Sequence, residues 1–249
     1  MLLNEKYKHL EEWLELLPEK FEQLGEVIYD RRNQLRVITA PDGTLVNAKR
    51  YCVPRQPNRL VYSLGIRQPK GVRAFLYPTR LQERGIDTPE PIAYIEQRNG
   101  IGLLKETYFV SIQLTLGHTL YEFGEAQEGT YEEMAQELGR FSAMMHNREV
   151  LHLDYSPGNI LWDKDVDGNY HFAVVDINRM RFGHVGIKDG CTALCRMWGP
   201  KRFVELIARS YATARGFDPD QAVTLTLQAR TAFWTRYRRR HPVLFPLEL

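Results

Sequence analysis

Cysteine is scarce in this sequence. Its 249 residues include three cysteines, Cys52, Cys191 and Cys195. An odd number of cysteines without zinc-site spacing argues against both a disulfide framework and a structural zinc site. We therefore expect a reducing, cytoplasmic environment.

Long apolar runs, internal repeats and low-complexity tracts are also absent. Without an apolar run of about 20 residues, no membrane-spanning helix is predicted. The acidic, amphipathic residues 1–20 are unlike a secretory signal or a transit peptide. What is present is an ordinary globular composition, 43% hydrophobic and 26% charged. The length suits one large domain or two lobes that share a cleft.

Charge is unevenly distributed, although the net charge is only +2. Residues 1–30 contain eight acidic and three basic side chains, whereas residues 31–80 contain eleven Lys or Arg and one acid, Asp42. Such a basic stretch indicates an anionic partner. The alternative is a solvated face whose charge is balanced in space by the acidic first helix.

The first half of the sequence mixes helix and strand patterns. An amphipathic helix near residues 10–17 is predicted to end at Pro18. A second helix is predicted over 70–85, with Pro78 as a point of kinking or breaking. Asp42-Gly43 and Asn99-Gly100 are hairpin signals. Five segments rich in β-branched and aromatic residues are predicted strands, namely 26–30, 34–40, 44–53, 91–97 and 103–113.

The second half is predicted to be mainly helical. Thr130 and Glu133 have the spacing of a capping box in front of an apolar helical stripe. A loop and a hairpin follow, and residues from about 188 are mostly helical. We therefore predict an α+β protein with a small antiparallel β-rich lobe, residues 1–115, and a larger mainly helical lobe, residues 116–249.

One motif contains candidate catalytic and metal-binding residues. His152 to Asn159 has the form H-x-D-x-x-x-x-N, and Asp176 follows seventeen residues later at the end of an apolar strand. Phosphoryl transfer needs bound metal ions and a positioned acceptor hydroxyl. Since Mg²⁺ prefers oxygen ligands, Asn159 and Asp176 are candidate metal ligands. Asp154 is the candidate base for the hydroxyl proton, and His152 is expected to support the loop by hydrogen bonds. The alternative reading is a plain loop in which Asp154 and Asn159 cap turns and Asp176 ends a strand.

These residues occur with Lys49 in TLVNAKRY, and with the stretches TPEPIAYIE, HLDYSPGNIL and VVDINRM. Together they resemble the Kdo/WaaP lipopolysaccharide kinase family of the protein-kinase-like superfamily, over about residues 26–185. The resemblance implies a two-lobe kinase fold and an enzyme that uses ATP and Mg²⁺ to phosphorylate a sugar hydroxyl of the lipopolysaccharide core at the inner leaflet. It also implies Lys49 on the α- and β-phosphates, Asp154 as base, and Asn159 and Asp176 as metal ligands.

Two features of the first lobe depart from the kinase pattern. No glycine-rich loop is present, and the first hairpin instead carries Arg31 and Arg32, which either bind phosphate or are plain turn residues. The centre of the helix over 70–85 offers no Glu to pair with Lys49.

The leading hypothesis is thus a cytoplasmic kinase, peripheral at the inner membrane, for an anionic glycolipid or sugar; no nucleic acid is expected. The C-terminal run of Arg236, Arg238, Arg239 and Arg240 either touches anionic head groups or is solvated.

Two alternatives stay open. One is a small-molecule phosphotransferase of the aminoglycoside or choline type, whose loop shares Pro157-Gly158; the acidic Glu122, Glu125 and Glu128 are its local support. The other is a pseudokinase that binds nucleotide without catalysis.

Overall fold

Eleven β-strands and seven α-helices are formed, and the computed structural model describes every residue from 1 to 249. The chain divides into two units. The first contains Met1–Glu83 and Thr88–Thr115, and the second contains Arg84–Asp87 and Leu116–Leu249. No helix is long and apolar enough to cross a bilayer.

The first unit is built on a six-stranded sheet in the order β1-β5-β6-β4-β3-β2, with antiparallel neighbours throughout. Its strands are β1 (Leu2–Leu3), β2 (Glu26–Asp30), β3 (Gln34–Thr39), β4 (Leu45–Tyr51), β5 (Pro91–Arg98) and β6 (Leu104–Ile112). Its helices are α1 (Glu11–Lys20), α2 (Asn58–Ser63) and α3 (Lys70–Gln82).

The five strand segments and both hairpins of the first unit are confirmed. At the first turn, Gly43 adopts φ +87° and its amide donates to the carbonyl of Ala40, a left-handed conformation that glycine reaches without steric cost. At the second, the Asn99 side chain accepts hydrogen bonds from the amides of Ile101 and Leu103.

The predicted helix end at Pro18 is wrong, and α3 is not broken at Pro78. α1 continues past Pro18 to Lys20, and α3 continues past Pro78 to Gln82. A proline in a helix removes one backbone hydrogen bond. The loss is offset because both helices bury an apolar face, which includes Leu14 and Leu17 in α1, and burial of one such side chain contributes roughly 1.5–3 kcal/mol.

The second unit joins four helices to two small sheets. The helices are α4 (Glu132–Asn147), α5 (Ile187–Leu194), α6 (Lys201–Arg215) and α7 (Pro219–Tyr237). The strands are β7 (His118–Thr119), β8 (Val150–His152), β9 (Ile160–Lys164), β10 (Tyr170–Val174) and β11 (Met180–Phe182). α6 packs against both α4 and α7, and α7 packs against α5.

The capping box predicted at Thr130 and Glu133 is wrong. The hydroxyl of Thr130 donates to the carbonyl of Gln127, and the carboxylate of Glu133 accepts from Lys164. Glu132 instead accepts from the backbone amides in front of the helix. The Glu133 carboxylate, which the local pattern predicts to cap the helix, therefore forms a long-range ion pair with Lys164 instead.

Candidate active site

The loop with the H-x-D-x-x-x-x-N motif connects β8 to β9, and a hairpin returns the chain to it. β9 and β10 pair in antiparallel register from Ile160 opposite Val174. The amide of Val175 then donates to the carbonyl of Asn159 at 3.0 Å. The hairpin thereby brings Asp176, the next residue, beside the loop that it left.

His152 fastens the two segments together. Its Nδ1 accepts a hydrogen bond of 3.0 Å from the amide of Asp154, and its Nε2 lies 3.0 Å from the carbonyl oxygen of Val175. Because a backbone amide can only donate, Nδ1 carries no proton and Nε2 is the donor to Val175. Burial lowers the pKa of His152, so the ring is neutral and orients the loop.

A hydrogen bond within the loop orients the side-chain amide of Asn159. The side-chain Nδ2 donates to the backbone carbonyl of Asp154 at 2.8 Å. The amide oxygen Oδ1 is therefore the end that is turned away from this contact, and it is an atom type that Mg²⁺ accepts as ligand.

Asp176 stands in a left-handed backbone conformation, with φ +53° and ψ +42°. Such a conformation in a residue other than glycine costs on the order of 1–3 kcal/mol and is characteristic of functional sites. The side chain of Asn178 donates to Oδ1 of Asp176 at 2.6 Å. Asn178 is buried, so a side chain in the interior of the unit orients the Asp176 carboxylate.

Asp154 has two arginine partners that the sequence analysis did not identify. Its Oδ1 accepts a hydrogen bond from Nη1 of Arg196, and Nη1 of Arg179 lies 3.5 Å from its Oδ2. The Asp154 side chain keeps 28% of its surface exposed, so an acceptor hydroxyl has access to it. Arg179 lies within the quoted VVDINRM stretch, whereas Arg196 is 42 residues away and has no local signal.

Helix α7 positions Arg196. The Arg196 guanidinium lies 5.0 Å from the ring centre of Phe233, and the indole of Trp234 donates to the carbonyl of Cys195 at 3.0 Å. Fully buried Arg230 donates to the carbonyls of Met197 and Gly199 at 2.6 and 3.0 Å. Burial lowers the pKa of Arg230 to about 10, so it stays a cation and fixes the segment after Arg196.

The loop is also anchored on α4. The hydroxyl of Ser142 donates to the carbonyl of Leu138 at 2.7 Å and therefore accepts from the hydroxyl of Tyr155, 2.8 Å away. A side chain at position 158 would make Tyr121 move, because a Cβ there would lie 2.7 Å from the ring of Tyr121.

The predicted nucleotide-binding residues Lys49, Arg31 and Arg32 belong to the first unit, and the loop residues belong to the second. Lys49 lies on β4, opposite Leu35 of β3. It is half-buried, and its ammonium lies 5.2 Å from the ring centre of Tyr51.

Arg31 and Arg32 occupy the exposed turn between β2 and β3. The amide of Arg31 donates to the carbonyl of Asn33 at 3.2 Å. Arg32 lines a cavity of about 700 Å³, and Arg55 and Lys70 also line it. The cationic lining suits an anion, and it lies entirely within the first unit.

Comparisons with known proteins agree on a kinase-like architecture. Residues 27–194 match the sequence profile of the lipopolysaccharide kinase (Kdo/WaaP) family. WaaP, solved in complex with acyl carrier protein, is 17% identical with a TM-score of 0.56, over 95% of this chain and 98% of that one. No curated protein matches the sequence significantly.

Two other solved structures share the fold. Rio2 kinase from Chaetomium thermophilum, in its ADP/Mg²⁺-phosphoaspartate complex, is 12% identical with a TM-score of 0.53, over 94% of this chain and 78% of that one. Amicoumacin kinase hAmiN, in complex with AMP-PNP, Ca²⁺ and Ami, is 11% identical with a TM-score of 0.56, over 94% and 88%. The predicted α+β, protein-kinase-like fold is confirmed.

Proposed function

This chain belongs to the lipopolysaccharide kinase (Kdo/WaaP) family, and from that premise we propose that it transfers the γ-phosphoryl group of ATP to a sugar hydroxyl of a lipopolysaccharide core or a related glycolipid. Family membership makes it a phosphotransferase with an alcohol group as acceptor. The observation that carries the proposal is the paired contact of His152 with Asp154 and Val175, which joins the candidate base to the segment of the candidate metal ligand.

Asp154 is the proposed base. The acceptor oxygen forms a bond to the γ-phosphorus, the bond from that phosphorus to the ADP oxygen breaks, and the hydroxyl proton passes to the Asp154 carboxylate. Arg196 and Arg179 hold that carboxylate from two sides, which limits its rotation before the acceptor arrives. His152 positions the loop and takes no proton.

Asn159 and Asp176 are the proposed ligands of Mg²⁺, since they supply an amide oxygen and a carboxylate from adjacent segments. The ion, when bound, neutralises charge on the phosphates of ATP. Lys49 is proposed to contact the α- and β-phosphates as a point charge. Arg31 and Arg32 are proposed phosphate contacts in a turn that has no glycine.

The acceptor is proposed to be anionic rather than cationic. Of the acidic residues that supported an aminoglycoside-type substrate, Glu122 accepts hydrogen bonds from His118 and from the amide of Thr119. This engagement reduces its availability to a cationic ligand. All three cysteines are free thiols, which suits the cytoplasmic side of the membrane, where ATP is available.

Peripheral contact with an anionic membrane surface is proposed through one face of the first unit, here called the α2 face. It consists of Leu60, Leu64, Ile66 and Ile101, whose side chains are 44%, 70%, 73% and 79% exposed. Isolated exposed aliphatic residues are ordinary, but a group of them marks an interaction surface.

Hydrogen bonds and charge support the α2 face. Arg98 donates to the carbonyls of Ser63 and Gly102 at 3.1 and 2.9 Å, so the end of α2 and the hairpin with Ile101 are tied together. Residues 53–70 contain four Lys or Arg and no acid. Apolar side chains flanked by cations fit an anionic bilayer, where each cation contributes about 1 kcal/mol.

Phosphate transfer from ATP to purified lipopolysaccharide core oligosaccharide tests the proposed reaction. The wild-type protein should transfer label from γ-labelled ATP in the presence of Mg²⁺, and Asp154→Asn should not. Asp167→Asn, which changes an exposed carboxylate in the turn between β9 and β10, is the control and should match the wild type. Equal transfer by wild type and Asp154→Asn would exclude Asp154 as the base.

A further inference from the structure

A cavity of about 600 Å³ lies in the second unit between the catalytic loop, α5 and α7. Its volume is in the range of small-molecule sites, about 300–1,000 Å³. It is distinct from the predicted nucleotide-binding residues, all of which belong to the first unit.

One end of the cavity is lined by two residues that contact the proposed base. His152 and Arg196 line it, and these residues contact Asp154 through the backbone amide and the carboxylate, respectively. The cavity is therefore connected to the Asp154 carboxylate through the guanidinium of Arg196.

The charge of the lining is predominantly positive. Four cations line the cavity, Arg181, Lys188, Arg196 and Arg236, against one acid, Asp189. Asp189 is paired with Arg181 at 2.6 Å, and Arg196 is paired with Asp154. Lys188 and Arg236 are exposed and make no ion pair or side-chain hydrogen bond within the chain. Two cations on opposite helices thus lack a counter-charge.

We propose that this cavity binds the acceptor, and that Lys188 of α5 and Arg236 of α7 bind a phosphate or carboxylate group that the acceptor already carries. The acceptor class is then an anionic sugar, with a hydroxyl directed towards Asp154. This inference rests on the proposed function and adds to it the part of the molecule that selects the substrate.

The remaining lining fits a sugar. α7 contributes Leu225, Ala229, Ala232 and Phe233 to the cavity wall, and apolar and aromatic walls with a few polar groups are typical of ligand sites. Gln228, on the same helix, lines the cavity with an exposed amide, which can donate to or accept from a hydroxyl group. Arg236 therefore differs from Arg238 and Arg240 of the same basic run, which do not line the cavity.

Binding measured without nucleotide tests the proposal independently of catalysis. Glucose 6-phosphate and glucose serve as probes in isothermal titration calorimetry with the full chain. The wild type should bind the phosphorylated sugar at least tenfold more tightly than the neutral one. Lys188→Ala and Arg236→Ala should each weaken binding of glucose 6-phosphate by about tenfold, the expected loss of one charge-assisted hydrogen bond.

Arg140→Ala is the matched control. Arg140 is a partly exposed cation of α4 that pairs with Glu137 and does not line the cavity, so its loss should leave the affinity unchanged. Near-ultraviolet circular dichroism of each variant checks its folding. In transfer assays, the two cavity variants should raise the KM for the anionic acceptor and leave the KM for ATP unchanged.

Two results would overturn the cavity assignment: equal affinity of the wild type for both sugars, or unchanged affinity for glucose 6-phosphate in both cavity variants. Failure of the proposed reaction is separately visible. In that case the variants would still lose anion binding, while no phosphate would reach lipopolysaccharide.

Discussion

The side-chain amide of Asn159 donates a 2.8 Å hydrogen bond to the backbone carbonyl of Asp154. One contact thereby fixes both the turn that presents the proposed base and the orientation of a proposed metal ligand. Because Nδ2 is used, the Oδ1 atom is the one that can meet a cation.

Replacement of Asn159 separates these two tasks. Asn159→Ala removes both the ligand oxygen and the donor, whereas Asn159→Asp keeps an oxygen but places it against the Asp154 carbonyl. We expect both variants to lose transfer rate, by about 10–100-fold, and only the alanine variant to need much more Mg²⁺. Transfer rates measured across a Mg²⁺ titration check this. A wild-type Mg²⁺ dependence in Asn159→Ala would remove Asn159 from the metal site.

Asp176 should be needed for metal-dependent nucleotide binding. Asp176→Ala is expected to abolish the gain in ATP affinity that Mg²⁺ gives, because it removes the proposed carboxylate ligand. Calorimetric titration with ATP, with and without Mg²⁺, measures this gain, and Asp167→Ala is the control. Undiminished Mg-ATP affinity in Asp176→Ala would contradict the assignment.

The left-handed backbone at Asp176 gives a separate prediction about stability. Asp176→Gly and Asp176→Ala both lose the contact with Asn178, but only glycine adopts φ +53° without strain. The glycine variant should therefore have a larger free energy of unfolding than the alanine variant, by about 1–2 kcal/mol. Urea denaturation of both variants decides this. Equal stabilities would mean that the backbone conformation at this position is not strained.

Long-range contacts separate what could be predicted from the sequence and what could not. The turn at Gly43 and the loop from His152 to Asn159 were predicted because neighbouring residues specify them. The capping box at Glu133 failed because its carboxylate pairs with Lys164, 31 residues away. Arg196 was missed because its contact with Asp154 depends on the packing of α7, for which no short motif exists.

His146 should make stability depend on pH. Burial, together with nearby Arg215, lowers the pKa of His146 to about 3. The hydroxyl of Tyr211 accepts from Arg215 at 2.6 Å and donates to Nδ1 of His146, 3.0 Å away. The folded state therefore favours the neutral form of the His146 ring.

Since the folded-state pKa of His146 lies below the unfolded value of 6.5, its contribution to stability is present above pH 6.5 and is lost as the pH falls towards 3. Between pH 7 and pH 5 the loss is on the order of 2 kcal/mol. In His146→Gln this slope should be smaller, with the part due to His152 retained, because burial lowers that pKa also. Urea denaturation at both pH values measures the slopes, and an identical slope in the variant would contradict the assignment.

The α2 face should bind anionic vesicles. The wild type is expected to sediment with vesicles that contain phosphatidylglycerol and much less with phosphatidylcholine alone, and salt should weaken the binding. Leu64→Glu with Ile66→Glu should abolish it, because carboxylates would replace exposed aliphatic side chains at the surface. Val166→Glu, at a fully exposed valine of the second unit, is the control.

Equal sedimentation of the double variant and the wild type would exclude the α2 face.

The central claim is that Asp154 accepts the proton of a lipopolysaccharide sugar hydroxyl as that hydroxyl attacks the γ-phosphate of ATP. It is tested most directly in cells. Mass spectrometry compares lipopolysaccharide from a strain with the gene, a strain without it, and the deleted strain carrying Asp154→Asn. The account predicts a core lighter by one phosphate in the second and third strains. Identical cores in all three, with the wild-type protein expressed, would contradict it.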